Sequence, residues 1–143
     1  MGRAGSRTYK LRLSEQGIDL FLSCHNRLAL LVRDFIPYGT TLSVAVFLLD
    51  GLRPDDIAAE LARSSCHQCA GDNVRFVGCP SELAEIMRGI VARLEASHHI
   101  GQTPALGRLY IVGLATVRSA EDEELADAYR RVAAQKPKRG KKS

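Results

Sequence analysis

Between positions 8 and 13 the chain alternates strictly between polar and apolar residues. The apolar members, Tyr9, Leu11 and Leu13, fall on one face of an extended chain. This period of two predicts a short strand with one buried face. The residues expected to point outward from this strand are Thr8, Lys10 and Arg12.

A second candidate strand begins at position 73, in the sequence NVRFV. We expect this strand to bury Val74 and Phe76. The residues expected to point outward are Asn73, Arg75 and Val77. Because a lone strand leaves its backbone hydrogen-bonding groups unpaired, the two strands are predicted to pair with each other as a two-stranded antiparallel ribbon.

Each predicted strand is followed by two predicted helices. The first helix of each pair is amphipathic, with apolar residues at helical spacing. The second helices, over 42–52 and 105–117, are apolar nearly all round, which predicts that they are buried on most sides. We expect Thr40 or Thr41 to cap the earlier of these helices. Thr103, which a proline follows, is the expected cap of the later one.

The order of strand, amphipathic helix, break and buried helix therefore occurs twice. Aligning Tyr9 with Val74 and Gly39 with Gly101 gives an offset of 65 residues at the strands and 62 at the buried helices. The expected fold class is mainly α-helical with a two-stranded antiparallel ribbon. The expected segments are a disordered basic arm at 1–7, a first copy at 8–52, a crossover linker with a short helix at 53–72, a second copy at 73–118, a C-terminal helix at 119–131 and a disordered basic tail at 132–143.

Positive charge is concentrated at the two ends of the chain. Residues 1–12 carry a net charge of +4 and residues 130–143 carry +7, whereas residues 13–129 carry −7. Basic ends are candidate nucleic-acid arms, because Lys and Arg neutralise phosphates. The alternative is a pair of solubilising tails. The candidate DNA contacts in the two basic ends are Arg3, Arg7, Lys136, Lys138 and Arg139.

A unit built as strand, helix and helix resembles the ribbon-helix-helix superfamily of Arc and MetJ repressors. The resemblance covers 8–52 and 73–118, so the chain resembles two copies fused into a single-chain pseudo-dimer. It implies that the ribbon enters the major groove of DNA. There, Arg and Lys can contact guanine and Asn can contact adenine. It also implies that the N-termini of the second helices bind flanking phosphates.

Among single-chain double copies, the resemblance is greatest to accessory virulence proteins of T-DNA processing. This implies a double-stranded DNA-binding protein that assists plasmid or T-DNA transfer. Two alternatives stay open: a docking adaptor for a relaxase or partition ATPase, and a transcriptional repressor or antitoxin. We expect a monomer without a cofactor.

Other features of the sequence argue against several classes of protein. No nucleophile–base–acid set and no phosphate-binding glycine loop is apparent, so an enzyme is not expected. No apolar run reaches 18 residues, and the basic N-terminus is not followed by an apolar segment, so we expect neither a transmembrane helix nor a signal peptide. Four cysteines without an export signal indicate a reducing compartment, and the resemblance implies that this compartment is the bacterial cytoplasm.

Cys66 and Cys69 form a C-x-x-C motif, which is weak evidence alone. Zinc needs two more ligands, for which His98 and His99 are the nearby candidates by residue type. A thioredoxin-like site needs a βαβ setting, which the pattern lacks. A polar loop without metal or redox function is therefore the favoured interpretation of this motif.

Overall fold

A computed structural model describes residues 6–97 and 104–134, which form two strands and seven helices. In chain order these are β1 (Ser6–Leu13), α1 (Glu15–Val32), α2 (Tyr38–Asp50), α3 (Pro54–Leu61), α4 (Ser64–Cys69), β2 (Asn73–Pro80), α5 (Leu83–Ser97), α6 (Leu106–Ser119) and α7 (Asp122–Ala134). The strands form one antiparallel two-stranded sheet. The predicted class, mainly helical with a two-stranded antiparallel ribbon, is confirmed. None of the described helices is both long and apolar enough to cross a membrane.

The two strands pair along their whole length, with Tyr9 opposite Val77 and Lys10 opposite Phe76. The inner face of β1 is the one that its alternation predicts. Its buried residues are Tyr9, Leu11 and Leu13. The sequence therefore predicted correctly which face of the first strand meets the core.

The alternation predicted for β2 is wrong, because its two faces are exchanged. Val77, expected outside, is 6% exposed, and Phe76, expected inside, is 66% exposed. Directly opposed residues of an antiparallel pair lie on the same face of the ribbon. Tyr9 and Val77 therefore share the buried face, and Cys79, two residues further on, is buried with them.

The second helices of the two strand-helix-helix segments, α2 and α6, cross at the centre of the core. A Cβ atom built at Gly113 of α6 would lie 2.8 Å from the carbonyl oxygen of Ala45 in α2, so glycine allows the two backbones to approach closely. Most residues of both helices are buried, as their nearly uniform apolar sequences predict. The ribbon covers one side of this helix pair.

The second helices begin at places that differ from the predicted caps. α2 begins at Tyr38, after Pro37 in an extended backbone conformation, so Thr40 and Thr41 lie inside the helix. α6 begins at Leu106, and the predicted cap Thr103 lies outside the described residues. The two starts are 68 positions apart, so the predicted offset of 62 was wrong.

The outer segments also depart from the predicted bounds. β1 begins at Ser6, so Arg7 belongs to a strand and not to a disordered arm. The crossover holds two helices, α3 and α4, where one short helix was expected, and α7 extends to Ala134, beyond the expected end at 131. The predicted contacts outside the described residues are Arg3, Thr103, Lys136, Lys138 and Arg139.

The end of the crossover is held tightly against the start of α1. The Ser14 amide donates to the carbonyl oxygen of Cys69 at 2.9 Å, and the Ser14 hydroxyl accepts from the Gly17 amide at 3.1 Å. A Cβ atom at Gly17 would lie 2.1 Å from that Cys69 oxygen. The crossover thus fixes α4 on the first helix immediately before the chain enters β2.

Candidate nucleic-acid interface

The exposed side of the ribbon is formed by the residues that alternate with the buried ones. We call this side the outer face, and its members are Thr8, Lys10 and Arg12 of β1 and Val74, Phe76 and Gly78 of β2. Each β1 member lies opposite a β2 member: Thr8 opposite Gly78, Lys10 opposite Phe76 and Arg12 opposite Val74. One strand therefore supplies polar and basic groups to the outer face, and the other supplies apolar groups.

The two strands of the ribbon contain four basic residues and no Asp or Glu; the basic residues are Arg7, Lys10, Arg12 and Arg75. Within residues 6–97 and 104–134, none of the four forms an ion pair, whereas seven arginines elsewhere do. The Arg7 guanidinium instead lies 5.4 Å from the centre of the Tyr9 ring. The ribbon therefore offers its positive charge to an external anion.

The remaining predicted contacts on β2 lie elsewhere than expected. Val77 is buried and cannot touch a ligand in this fold. Asn73 and Arg75 lie opposite Leu13 and Leu11, which places them on the inner side of the ribbon by register. Both are nevertheless exposed, and the Arg75 guanidinium donates to the neighbouring Val74 carbonyl at 2.9 Å.

The N-terminal turn of α2 lies beside the ribbon. A Cβ atom at Gly39 would be 1.9 Å from the carbonyl oxygen of Gly78, and the Cys79 thiol donates to the Gly39 carbonyl at 3.5 Å. Thr40 is half-buried there. Thr41 is fully buried, with its Oγ1 2.8 Å from Nδ1 of His25, so it is not available to a phosphate. The first turn of α2 thus places backbone amides close to one end of the outer face.

Tyr9 fixes the ribbon on the start of α5. Its hydroxyl accepts from the Ala84 amide at 3.1 Å and donates to the Pro80 carbonyl at 3.2 Å. Burial raises the pKa of Tyr9, so the hydroxyl keeps the proton that it donates. The ribbon is therefore anchored from its inner side, and Lys10 and Phe76 on the outer face remain exposed.

The cysteines of the C-x-x-C motif face inward from α4. Cys66 and Cys69 are both buried, and burial raises the pKa of each thiol. In the described part of the chain, no three His, Cys, Asp or Glu side chains come together to form a metal site. His98 and His99 lie outside that part.

No protein-family model, curated protein or solved structure matches the chain.

Proposed function

We propose that this protein binds double-stranded DNA with the outer face of its ribbon. The observation that carries the proposal is the exposed row of Thr8, Lys10 and Arg12 on a ribbon that has no acidic residue. The major groove of B-DNA admits a two-stranded ribbon, and Lys and Arg side chains can donate to guanine N7 and O6 there. The amides at the start of α2 would approach a flanking phosphate.

We further propose that the chain is a pseudo-dimer of two strand-helix-helix units. Arg27 of α1 donates to carbonyl oxygens within and just beyond the end of α6, to Val117 at 2.8 Å and Ala120 at 2.7 Å. Arg93 of α5 donates to the carbonyl of Asp50, the last residue of α2, at 2.9 Å. The first helix of each unit thus binds the C-terminal end of the other unit's second helix, as expected for intertwined subunits.

One offset relates the buried positions of the two units. At an offset of 66 residues, which also separates Arg27 from Arg93, five buried residues of β1 and α1 match buried residues of β2 and α5, whereas the buried Tyr9 matches the exposed Arg75. The matched pairs are Leu11 with Val77, Leu13 with Cys79, Phe21 with Met87, Cys24 with Ile90 and Leu28 with Leu94. Lys10 and Phe76 have the same offset and lie opposite each other, so they mark the centre of the ribbon.

The pseudo-dimer proposal predicts a monomer, because one chain supplies both strands. Sedimentation at micromolar concentration should give a mass of 15.6 kDa. An obligate dimer of the chain would contradict the proposal. Association of several copies on one DNA molecule is compatible with it.

A salt titration tests DNA binding directly. The probe is a fluorescent random-sequence duplex of about 20 base pairs, or two turns of the double helix. Affinity should fall steeply with salt, and the double variant Lys10→Ala, Arg12→Ala should bind about tenfold more weakly or worse. Arg88→Ala is the matched control, because Arg88 is an exposed helical arginine paired with Glu85. If the wild-type chain fails to bind the duplex at low salt, the proposed function is wrong.

The basic ends are proposed to add phosphate contacts without sequence preference. A chain truncated after Ala134 lacks Lys136, Lys138 and Arg139. Its plot of log affinity against log salt should be flatter, by roughly 0.9 for each phosphate that the shortened chain no longer neutralises. An unchanged slope would remove the C-terminal end from the interface.

A role in plasmid or T-DNA transfer stays a proposal that rests on the sequence resemblance. The alternative of a docking adaptor for a relaxase or partition ATPase has one observation in its favour. Leu22 and Leu30 of α1, and Phe35 just after it, are large apolar side chains that are exposed. An adaptor should lose its protein partner when Leu22 and Leu30 are changed to Ser, with DNA binding unchanged.

A further inference from the structure

The apolar half of the outer face is the feature that the proposed function leaves unexplained. Phe76 is 66% exposed at the centre of the ribbon, directly opposite Lys10. Val74, on the same strand and face, is half-buried. A large exposed aromatic side chain among basic residues is costly to leave in water, and it favours a ligand that is both anionic and apolar.

The surroundings of Phe76 leave its ring accessible. Gly78, the next outer-face residue of β2, has no side chain, and a Cβ atom built there would have no neighbour within 4 Å. On the other strand, Thr8 and Lys10 are exposed. A flat ligand surface can therefore reach the ring from outside the ribbon without displacing any part of the core.

The base edges in the major groove differ in what such a strand can contact. Guanine offers the acceptors N7 and O6, whereas thymine offers a C5-methyl group beside a single acceptor. Val74, Phe76 and Gly78 have no side-chain donor or acceptor. Placed on a polar edge, they would exclude water from that edge without replacing its hydrogen bonds, which is unfavourable.

We infer that Phe76, with Val74 beside it, packs against thymine methyl groups in the major groove, while Lys10 and Arg12 on the other strand contact guanine. This inference rests on the proposed function and adds a specificity to it. The preferred duplex is therefore non-palindromic, with thymines under β2 and guanines under β1. Phe76 is the residue that determines the thymine preference.

Replacement of thymine by uracil tests the inference, because it removes the methyl group and keeps base pairing. The random duplex is prepared once with thymine and once with uracil, and both are titrated with the full-length chain. Wild-type protein should bind the thymine duplex more tightly, by about fourfold for each methyl group buried. Phe76→Ala should lose most of this preference, and Phe76→Ala with Val74→Ser should bind the two duplexes equally.

Two variants separate this contact from other effects of uracil. Phe35→Ala removes another exposed phenylalanine, one that belongs to the connection between α1 and α2 and not to the ribbon, and should keep the thymine preference. Lys10→Ala should weaken binding to both duplexes by the same factor. Because Phe76 is exposed, its alanine variant should unfold at the same urea concentration as wild type, which checks that the fold is intact.

The possible failures are distinguishable. If the wild type binds both duplexes equally well, DNA binding stands and the thymine contact is wrong. A preference that is undiminished in Phe76→Ala assigns the effect to DNA shape and also overturns the inference. Tighter binding to the single strands than to the duplex would show that Phe76 stacks on bases instead. No binding to any of the probes contradicts the proposed function itself.

Discussion

The two strands of the ribbon share buried positions on one face and are opposite in character on the other. Inside, Leu11 and Leu13 of β1 correspond to Val77 and Cys79 of β2, and all four are buried. Outside, β1 is polar and basic, whereas β2 presents Phe76 and a glycine. The core therefore constrains these four positions in the same way, and the outer face is free to differ. A symmetric dimer has no such freedom, because one sequence must serve both strands.

The largest difference in stability is expected between equivalent glycine substitutions in the two second helices, α2 and α6. Gly39 and Gly107 are each the second residue of their helix, but a Cβ atom would meet the Gly78 carbonyl at 1.9 Å in one case and nothing within 4 Å in the other. Gly39→Ala should lower the free energy of unfolding by about 3 kcal/mol or more, because backbone must move. Gly107→Ala should raise it by up to about 1 kcal/mol. Urea denaturation measures both, and equal effects would contradict the packing described for α2.

The two arginines that join the units, Arg27 and Arg93, should also contribute unequally to stability. Arg27 bonds to three carbonyls and to Asp122, with its side chain 30% exposed, whereas Arg93 bonds to the carbonyl and carboxylate of Asp50 and is 45% exposed. Arg27→Ala should therefore cost about 2 kcal/mol of stability, and Arg93→Ala less than about 1 kcal/mol. The same urea experiment compares them. A larger loss of stability for Arg93→Ala than for Arg27→Ala would contradict this order.

Each unit also contributes one deeply buried thiol, Cys24 in α1 and Cys79 in β2, and burial raises the pKa of each to about 11. An exposed thiol ionises at about pH 8.5. Stability is therefore fully present below that pH and is lost as the pH rises toward 11, because the unfolded chain releases protons first. We expect a loss of about 2 kcal/mol per thiol by about pH 10. Between pH 7 and 10, the free energy of unfolding, measured by urea denaturation, should fall less for Cys24→Ala than for wild type. An identical fall would show that Cys24 does not contribute to this pH dependence.

The smallest effect is expected from a substitution that gives β2 a basic residue on the outer face, as β1 already has. Phe76→Lys places a cation opposite Lys10 on the exposed face. Affinity for the uracil-substituted random duplex, which offers no methyl contact to the Phe76 ring, should rise severalfold, and the salt slope should steepen by about 0.9 for one additional neutralised phosphate. Stability should change by less than about 0.5 kcal/mol, because the site is exposed. A variant that binds more weakly at every salt concentration would show that the ring is needed even for non-specific binding.

The sequence predicted β1 better than β2 for a physical reason. On β1 the apolar residues all have one parity, so the buried face is unambiguous. On β2 both parities hold apolar residues: Val74 and Phe76 on one face, and Val77 and Cys79 on the other. A short window over 73–77 favours the first pair. In the structure the strand extends to Pro80 and pairs with β1, and the buried pair is Val77 and Cys79.

The positions of the second helices were missed for a different reason. The Gly-Thr similarity between residues 39–41 and 101–103 suggested equivalent helix starts, but α6 begins only at Leu106. More residues separate α5 from α6 than separate α1 from α2, and loop length is not readable from side-chain pattern. The long-range contacts of Arg27 and Arg93 gave no local signal at all. Their spacing of 66 residues is present in the sequence, but their partners, the ends of α6 and α2, are known only from the fold.

The crossover between the paired strands has a consequence for how the protein is made. About 60 residues lie between Leu13 and Asn73, so the ribbon is a contact between distant parts of the chain, of the kind that forms slowly. During synthesis, β1 leaves the ribosome well before β2 exists. Until translation passes Pro80, β1 has no partner for its backbone groups. On the proposed function, a chain that stops before Pro80 lacks the outer face of the ribbon and should not bind DNA.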